Sequence, residues 1–193
     1  MHVRRRIACL AGVALLAASA VTVQGQATVR FVGIDDAVPS RFFDPATSQV
    51  SGNKLIIGFN TGRDPATWKL NDFMASTSAY RHLSAMDTLT FTVQAPSGYY
   101  IAKITYTQRG TGSVTGTGKA SGSATWVVGN FAYLLGTFST KPSLTKTLDL
   151  SHLRWTSVPV SITPALFVFA TPALGSATVS ITSADVVVEV ARK

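Results

Sequence analysis

Apolar and polar side chains alternate with a period of two through most of the chain. The segment TLTFTV (Thr88–Val93) places Leu89, Phe91 and Val93 on one side and threonines on the other. Later segments such as YIAKITYT, VPVSIT, ATVSIT and DVVVEV repeat the pattern. A period of two is typical of strands with one buried and one solvated face, and Gly, Pro, Asn and Ser separate the runs. The pattern predicts an antiparallel all-β domain.

We expect about nine or ten strands, more than one open sheet of ordinary size holds, and therefore two packed sheets. The predicted fold is a two-sheet antiparallel β-sandwich of jelly-roll type. An immunoglobulin-like sandwich is the alternative, and a closed barrel comes third. The apolar faces of the strands are predicted to supply the core, namely Leu89, Phe91, Val93, Ile104, Tyr106, Leu148, Ile162, Val179, Ile181 and Val188.

One segment, TGSVTGTGKASGSATW (Thr111–Trp126), consists almost entirely of small residues, with hydroxyl side chains at alternate positions. The alternation predicts a hairpin with one strand to about Gly116, a turn near Gly118–Lys119 and a return strand through Trp126 to Val128. Glycine inside a strand weakens pairing. We therefore expect another backbone to approach closely there, or a bulky side chain such as Trp126 to fill the space.

The stretch Asn60–Asp87 departs from the period of two. It contains large apolar residues at the spacing of a short helix, namely Trp68, Leu70, Phe73 and Met74. Connections of this length in compact domains are often binding or capping elements. The alternative is a cover over an open end of the sandwich, with Trp68 and Phe73 buried.

Residues 1–27 have the composition of a secretory signal peptide, and residues 28–193 are predicted to form a single β-sandwich domain. Three arginines precede an apolar run, Ile7–Ala18, that is too short and too alanine-rich to span a bilayer stably. Small residues permit cleavage after Ala20 or Ala27, and the second is favoured because a strand pattern starts directly after it. We expect a secreted or periplasmic protein without a stable membrane span in its mature chain.

The mature sequence has no cysteine and a modest, scattered positive charge. Cys9, the only cysteine, lies inside the signal peptide, so disulfides and thiolate metal sites are excluded from the mature chain. The whole chain has a formal net charge of +8; without Arg4, Arg5 and Arg6, 14 basic residues face 9 acidic ones, a net charge of +5. Nucleic-acid binders cluster basic residues on one face, so we expect no nucleic acid partner.

Motifs for catalysis are missing from the sequence. His82 and His152 form no H-x-H or H-E-x-x-H pattern, G-x-S-x-G is absent, and Glu189 is the only glutamate. The paired carboxylates of a glycoside hydrolase would have to come from a small number of aspartates. We expect that the protein is not an enzyme, and a hydrolase is the least favoured function.

Calcium is the metal that the sequence favours most. Asp35 and Asp36 follow the first strand pattern, and Asp185 precedes the last. Carboxylates and backbone carbonyls bind calcium, so these three residues would form a site if their strands were neighbours. The alternative is that each aspartate caps a turn, and turn capping is favoured over calcium.

The segment SHLRWTS (Ser151–Ser157) is the best candidate for a ligand site. His152, Arg154 and Trp155 lie in a polar loop, and an aromatic ring matches the apolar C–H face of a sugar. Trp68 is a second candidate for sugar binding. The alternative is that Trp155 covers the end of the sandwich. We expect a non-catalytic module that binds an extracellular polysaccharide, or else a structural or matrix protein that binds a surface protein.

Two segments carry a resemblance to a known group. GYYIAKITYTQRGTGSVTGTGKASG (Gly98–Gly122) and TKTLDLSHLRWTSVPVSITPALFVFATP (Thr145–Pro172) resemble a diffuse group of bacterial exported β-sandwich proteins, many of which end in a PEP-CTERM sorting tail. The resemblance implies an exported sandwich and assigns no site residues. This sequence departs from the group after DVVVEVARK, where Pro-Glu-Pro, an apolar helix and a basic cluster are missing. We therefore do not expect membrane sorting by that route.

Overall fold

The computed structural model describes residues 27–36, 43–59, 73–75, 81–139, 143–170 and 175–193, which form two antiparallel sheets packed face to face. Sheet I contains, in spatial order, β1 (Arg30–Asp36), β6 (Leu89–Gln94), β11 (Ser157–Ala170), β8 (Lys119–Val128) and β9 (Phe131–Phe138), with β5 (Arg81–Met86) also paired to β11. Sheet II contains β10 (Leu144–Asp149), β7 (Tyr99–Gly116), β12 (Gly175–Arg192), β3 (Lys54–Ile57) and β2 (Gln49–Ser51), with β4 (Phe73–Ala75) also paired to β12. Short 3₁₀ turns span Pro45–Thr47 and Ser151–Leu153. The predicted two-sheet antiparallel sandwich is confirmed, with more strands in the described residues than expected.

Six consecutive strands form a nested set of pairs. β6 pairs with β11, β7 with β10, and β8 with β9, and the three pairs lie alternately in sheet I, sheet II and sheet I. A long hairpin folded across two sheets in this way is the winding of a jelly roll. The topology therefore favours the jelly-roll prediction over the immunoglobulin-like alternative.

The predicted core residues are all buried. The larger core lies between the sheets and includes Phe91, Ile104, Tyr106, Trp126 and Ile162. A smaller core lies near the start of β8. Its members are Ala120, Leu166, Val168, Ala177, Val179 and Ile181. Alternate residues of each strand enter these cores, for example Leu89, Phe91 and Val93, each at most 3% exposed. The period of two in the sequence therefore corresponds to the packed faces of the two sheets.

The predicted hairpin in Thr111–Trp126 is wrong in its pairing, although its turn is in the expected place. β7 ends at Gly116 and β8 begins at Lys119, but β7 pairs with β12 in sheet II and β8 pairs with β11 in sheet I. The turn joins the two sheets instead of two neighbouring strands. Alternation of side chains specifies a strand and its two faces, and it does not specify which strand will pair with it.

The expected close approach of backbones occurs at this turn. A Cβ atom on Gly118 would lie 1.9 Å from the carbonyl oxygen of Ser176, and one on Gly175 would lie 2.4 Å from that of Thr115. Trp126 does not fill this space, because it packs in the larger core beside Tyr106. The glycines therefore allow the turn after β7 to pack directly on the first residues of β12.

The predicted helix around Phe73 and Met74 is also wrong. Phe73–Ala75 is strand β4, paired with β12, and Arg81–Met86 is strand β5, paired with β11. β12 and β11 are longer than β3 and β6, so their edges need further backbone partners, which β4 and β5 supply. Pairing with these edges overrides the local helical spacing. Trp68 and Leu70 lie outside the described residues.

Asp87 is a buried carboxylate with a structural role. Its Oδ2 accepts a hydrogen bond from the backbone N–H of Phe43 at 2.9 Å, and its Oδ1 accepts one from Thr88 N–H at 2.8 Å. Phe43 is itself buried and packs against Phe59, with ring centroids 5.8 Å apart. Asp87 therefore holds the segment before β2 against the core.

At the start of the described chain, the carbonyl of Ala27 accepts a hydrogen bond from Asn53 Nδ2. The predicted signal peptide otherwise lies outside the described residues.

A polar group lies inside the larger core. The hydroxyl of the fully buried Tyr106 donates to Gln108 Oε1 at 2.9 Å, and Gln108 is buried as well. Burial raises the pKa of Tyr106 above its usual value, and the negative charge of Asp185 raises it further. The native state therefore holds this phenol in its neutral form.

Truncation of one core side chain tests the arrangement of the faces. Phe91→Ala should lower the free energy of unfolding by about 3–5 kcal/mol, because it leaves a cavity in the larger core. Thr92→Ala, on the outer face of the same strand, should lower it by less than about 1 kcal/mol. Urea unfolding followed by circular dichroism measures both. Equal effects of the two substitutions would contradict the assigned faces.

Tyr106 should make the protein sensitive to alkali. Above about pH 10 the phenol ionises in the unfolded chain but stays neutral in the native core. Ionisation therefore favours the unfolded chain, so the stability that Tyr106 contributes is full below that pH and is lost as the pH rises. Tyr106→Phe should cost about 0.5–1.5 kcal/mol at pH 8 through loss of the hydrogen bond. Its stability should then fall less steeply than that of the wild type between pH 9.5 and 11.5, measured by urea unfolding. Parallel curves for the two proteins would refute this role.

Candidate functional site

One end of the sandwich holds His152, Arg154 and Trp155, three of the residues that the sequence singled out. β7 begins there, β12 ends there, and the connection from β10 to β11 crosses it. The backbone N–H of Ile101 donates to the carbonyl of Trp155 at 2.7 Å, and that of Ala95 donates to Thr156 at 2.8 Å. These two hydrogen bonds hold Trp155 against β7 and hold the next residue, Thr156, against Ala95, which follows β6.

Trp155 is half-buried and packs on the turn between β8 and β9. Its ring lies at 26° to that of Phe131, with centroids 6.1 Å apart, and Phe131 is 47% exposed. A Cβ atom on Gly129 would lie 2.7 Å from Cη2 of Trp155, so the indole rests directly on the glycine. Trp155 also borders the larger core. It covers the end of the sandwich, as the alternative proposed, and the residue remains partly exposed.

Two arginines lie over tyrosine rings at the same end. The guanidinium carbon of Arg154 is 5.6 Å from the centroid of Tyr100, and that of Arg192 is 5.9 Å from the centroid of Tyr99. Arg192 Nε also donates to the Tyr99 hydroxyl at 3.3 Å. We call the set of Tyr99, Tyr100, Phe131, Arg154, Trp155 and Arg192 the aromatic end. It combines apolar rings with exposed cations.

His152 is exposed on the 3₁₀ turn beside the aromatic end. The neighbouring Asp149 accepts hydrogen bonds from the hydroxyl and the N–H of Ser151, at 2.6 and 2.9 Å. These hydrogen bonds hold the pKa of Asp149 below its ordinary value, and the charges of Lys103 and His152 act in the same direction. Asp149 is therefore ionised at neutral pH and is already bonded to the turn.

A shallow groove of about 220 Å³ runs over the outer face of sheet I. Its lining contains both hydroxyl and apolar side chains, including Thr90, Thr92, Val127, Pro159 and Ser161. Gly33 and Gly129 also line it, and Gly129 is the residue on which Trp155 rests. We call this depression the outer groove. The outer groove is therefore next to the aromatic end on the side of Gly129.

The three aspartates proposed for calcium are not brought together. Asp35 is exposed in β1 of sheet I, whereas Asp185 lies in β12 of sheet II, so their strands are not neighbours. Asp36 ends β1, and its side chain lies outside the described residues. Asp185 Oδ2 is instead 3.2 Å from Lys54 Nζ and 3.6 Å from Arg109 Nη1. Within the described ranges, no group of three or more His, Cys, Asp or Glu is placed to hold a metal.

The sequence identified part of the site and missed the rest. Arg154, Trp155 and His152 lie where the loop pattern placed them, whereas Trp68 lies outside the described residues. Phe131, Tyr100 and Arg192 were not singled out, although Gly129-Asn130 is a sequence found in two-residue hairpin turns and marks the position of Phe131. In the part of the chain that the structure describes, no helix has the length and apolar character needed to cross a membrane.

Comparison with known proteins identifies no relative. No protein-family model and no curated protein matches the chain. Three of the similar solved structures are from infectious bursal disease virus. The VP2 subviral particle is 8% identical with a TM-score of 0.20, and the alignment covers 74% of this chain and 49% of that one.

The structure of the Gt strain is 8% identical with a TM-score of 0.19, and the alignment covers 86% of this chain and 58% of that one. The structure of the Gx strain is 12% identical with a TM-score of 0.20, and the alignment covers 85% of this chain and 60% of that one. The chain thus spans half to three fifths of the length of these proteins. TM-scores this low support no statement about fold or function. The resemblance to exported sandwich proteins stays a prediction.

The contact between Gly129 and Trp155 can be tested against a closely matched turn. Gly129-Asn130 and Gly52-Asn53 both form two-residue hairpin turns, with glycine φ values of 60° and 57°. Only at Gly129 would a Cβ atom meet a neighbouring side chain, because Gly52 has nothing within 4 Å. Gly52→Ala should cost about 1–2 kcal/mol from backbone strain alone.

Gly129→Ala should cost more than Gly52→Ala and should also shift the tryptophan emission, since the new methyl group displaces the Trp155 ring. Urea unfolding and fluorescence spectra of the two variants give the comparison. An unchanged emission spectrum in Gly129→Ala would show that Trp155 does not rest on this turn.

Proposed function

We propose that the protein is an exported, non-catalytic module that binds an extracellular glycan at the aromatic end and along the outer groove. The observation that carries the proposal is the partly exposed pair of rings, Trp155 and Phe131, at the end of a groove lined with hydroxyl groups. An aromatic ring packs on the apolar C–H face of a sugar, while hydroxyls such as those of Thr90 and Ser161 are suited to hydrogen bonds with its polar edge.

The rigidity of the site supports the same function. The backbone of Trp155 is held by Ile101, its ring rests on Gly129, and one side is stacked by Phe131. A ring that is already fixed loses little conformational freedom when it contacts a ligand. We expect a sugar to bind this preorganised surface without movement of the sheet.

A structural or matrix role through protein contacts is the second candidate. Leu134, on the edge strand β9, is 62% exposed, and the strand sequence FAYLLGTF contains no charged residue. Edge strands that lack charge are surfaces on which another chain can pair. Leu134 lies opposite Thr125 on the outer side of sheet I, whereas the rings of Phe131 and Trp155 stack on each other at the end of the sandwich.

Binding to a panel of neutral and acidic polysaccharides tests the proposal. Tryptophan fluorescence and calorimetry should detect binding to at least one of them. Phe131→Ala should weaken that binding about 3–10-fold, because one stacking ring contributes of the order of 1 kcal/mol. Trp155→Ala should weaken it further, and its own stability is measured because the indole also covers the core.

Phe167→Ala is the matched control, since Phe167 is a partly exposed aromatic residue of β11 in the half of sheet I that pairs with β5. It should leave glycan binding unchanged. If no polysaccharide changes the fluorescence or releases heat, the glycan proposal fails. Adhesion to surface protein that is lost in Leu134→Lys would then establish the structural role in its place.

A further inference from the structure

We infer that the glycan of the aromatic end is an anionic polysaccharide whose carboxylate or sulfate groups bind Arg154 and Arg192. The inference rests on the proposed function and adds the charge of the ligand to it. It is carried by two guanidinium groups that are fixed over aromatic rings and have no acidic partner among the described residues.

Arg154 is held in place by its backbone and by Tyr100. Its φ of 50° is in the left-handed region, and among the described residues no other non-glycine residue has a positive φ. The residue follows the 3₁₀ turn and precedes Trp155, whose carbonyl is bonded to β7. This conformation directs an exposed guanidinium onto the ring of Tyr100. Residues in strained backbone conformations cluster at active sites and ligand clamps.

Arg192 occupies the corresponding position on the other side of β7. Tyr99 and Tyr100 are consecutive residues of a strand, so their rings point to opposite sides. Arg192 is opposite Tyr99 in the register and also donates a hydrogen bond to its hydroxyl. The start of β7 therefore carries one cation on each side. A linear polymer that crosses this end of the sandwich meets both.

The carboxylates of this region are already bonded to other groups. Glu189 Oε2 is 3.3 Å from Lys103 Nζ, and Asp149 is bonded to Ser151. In the described chain, neither Arg154 nor Arg192 has a carboxylate within ion-pair distance, whereas Arg109 has Asp185. A planar guanidinium binds carboxylate or sulfate through two parallel hydrogen bonds, and stacking on a ring fixes its orientation. An acidic sugar would supply the missing partner for each arginine.

The charge of the whole protein agrees with such a ligand. The chain has 17 basic and 9 acidic residues, and the excess is positive with or without the arginines of the predicted signal peptide. A protein with net positive charge attracts a polyanion over a distance, and contacts such as those of Arg154 and Arg192 then determine where it binds.

The test compares polygalacturonate, dextran sulfate, neutral dextran and single-stranded DNA as ligands, by calorimetry at 50 and 300 mM salt. Wild type should bind at least one acidic polysaccharide more tightly than dextran, and more weakly at the higher salt concentration. Arg154→Gln and Arg192→Gln should each weaken that binding about 3–10-fold. Lys119→Gln is the matched control, because it removes an exposed cation from the opposite end, where β8 begins, and should change binding less than twofold.

Each contrary result has a separate meaning. Preference for dextran, or equal losses in Lys119→Gln and the arginine variants, would overturn the inference and leave the glycan proposal standing. DNA binding as tight as that of the acidic polysaccharides, with the same dependence on the arginines, would also overturn it, since the cations would then select charge alone. Absence of binding to every polysaccharide would overturn both the inference and the proposed function.

Discussion

The pairing of β7 with β12 determines the shape of the domain and the position of the candidate site. Both strands are 18 residues long, and they pair from Tyr99 and Arg192 at one end to Gly116 and Gly175 at the other. At the first end the tyrosines and arginines lie beside Trp155. At the second end the turn after β7 packs so closely on the start of β12 that Gly118 and Gly175 leave no room for a Cβ atom. Along the outer edge of this ladder, β3 and β4 follow one another and pair with the backbone of β12.

The fold was predictable to the extent that it depends on alternation. Burial of Leu89, Ile104 and Val188 follows directly from the period of two, because a shift of one residue would move every apolar side chain to the solvent. The partners of the strands were not predictable by the same route. The turn at Gly118 was correctly located, yet the strands on either side of it belong to different sheets. The helix expected at Phe73 was wrong for a related reason, since an open edge of β12 determines the conformation of that segment.

The candidate site was predictable only where one loop supplies it. Arg154 and Trp155 are neighbours in sequence, and their loop contains enough polar residues to indicate exposure. Phe131 joins them only because β9 follows the Gly129-Asn130 turn, and Arg192 joins them only because β12 ends opposite Tyr99. The aspartates show the opposite case. Asp35 and Asp185 are close to the two ends of the strand sequence, but the topology assigns them to different sheets, and Asp185 is paired with Lys54 and Arg109.

Trp155 belongs both to the core and to the proposed binding surface, and this double role affects how the site can be studied. Its indole covers the larger core and rests on Gly129, so removal of the ring changes stability together with any contact to a ligand. Phe131 and Arg154 differ from it in this respect, since both are exposed and neither belongs to the buried core. Substitutions at exposed positions usually change stability by less than about 0.5 kcal/mol. The contribution of the aromatic end to binding can therefore be separated from its contribution to folding at Phe131 and Arg154, and it cannot be separated at Trp155.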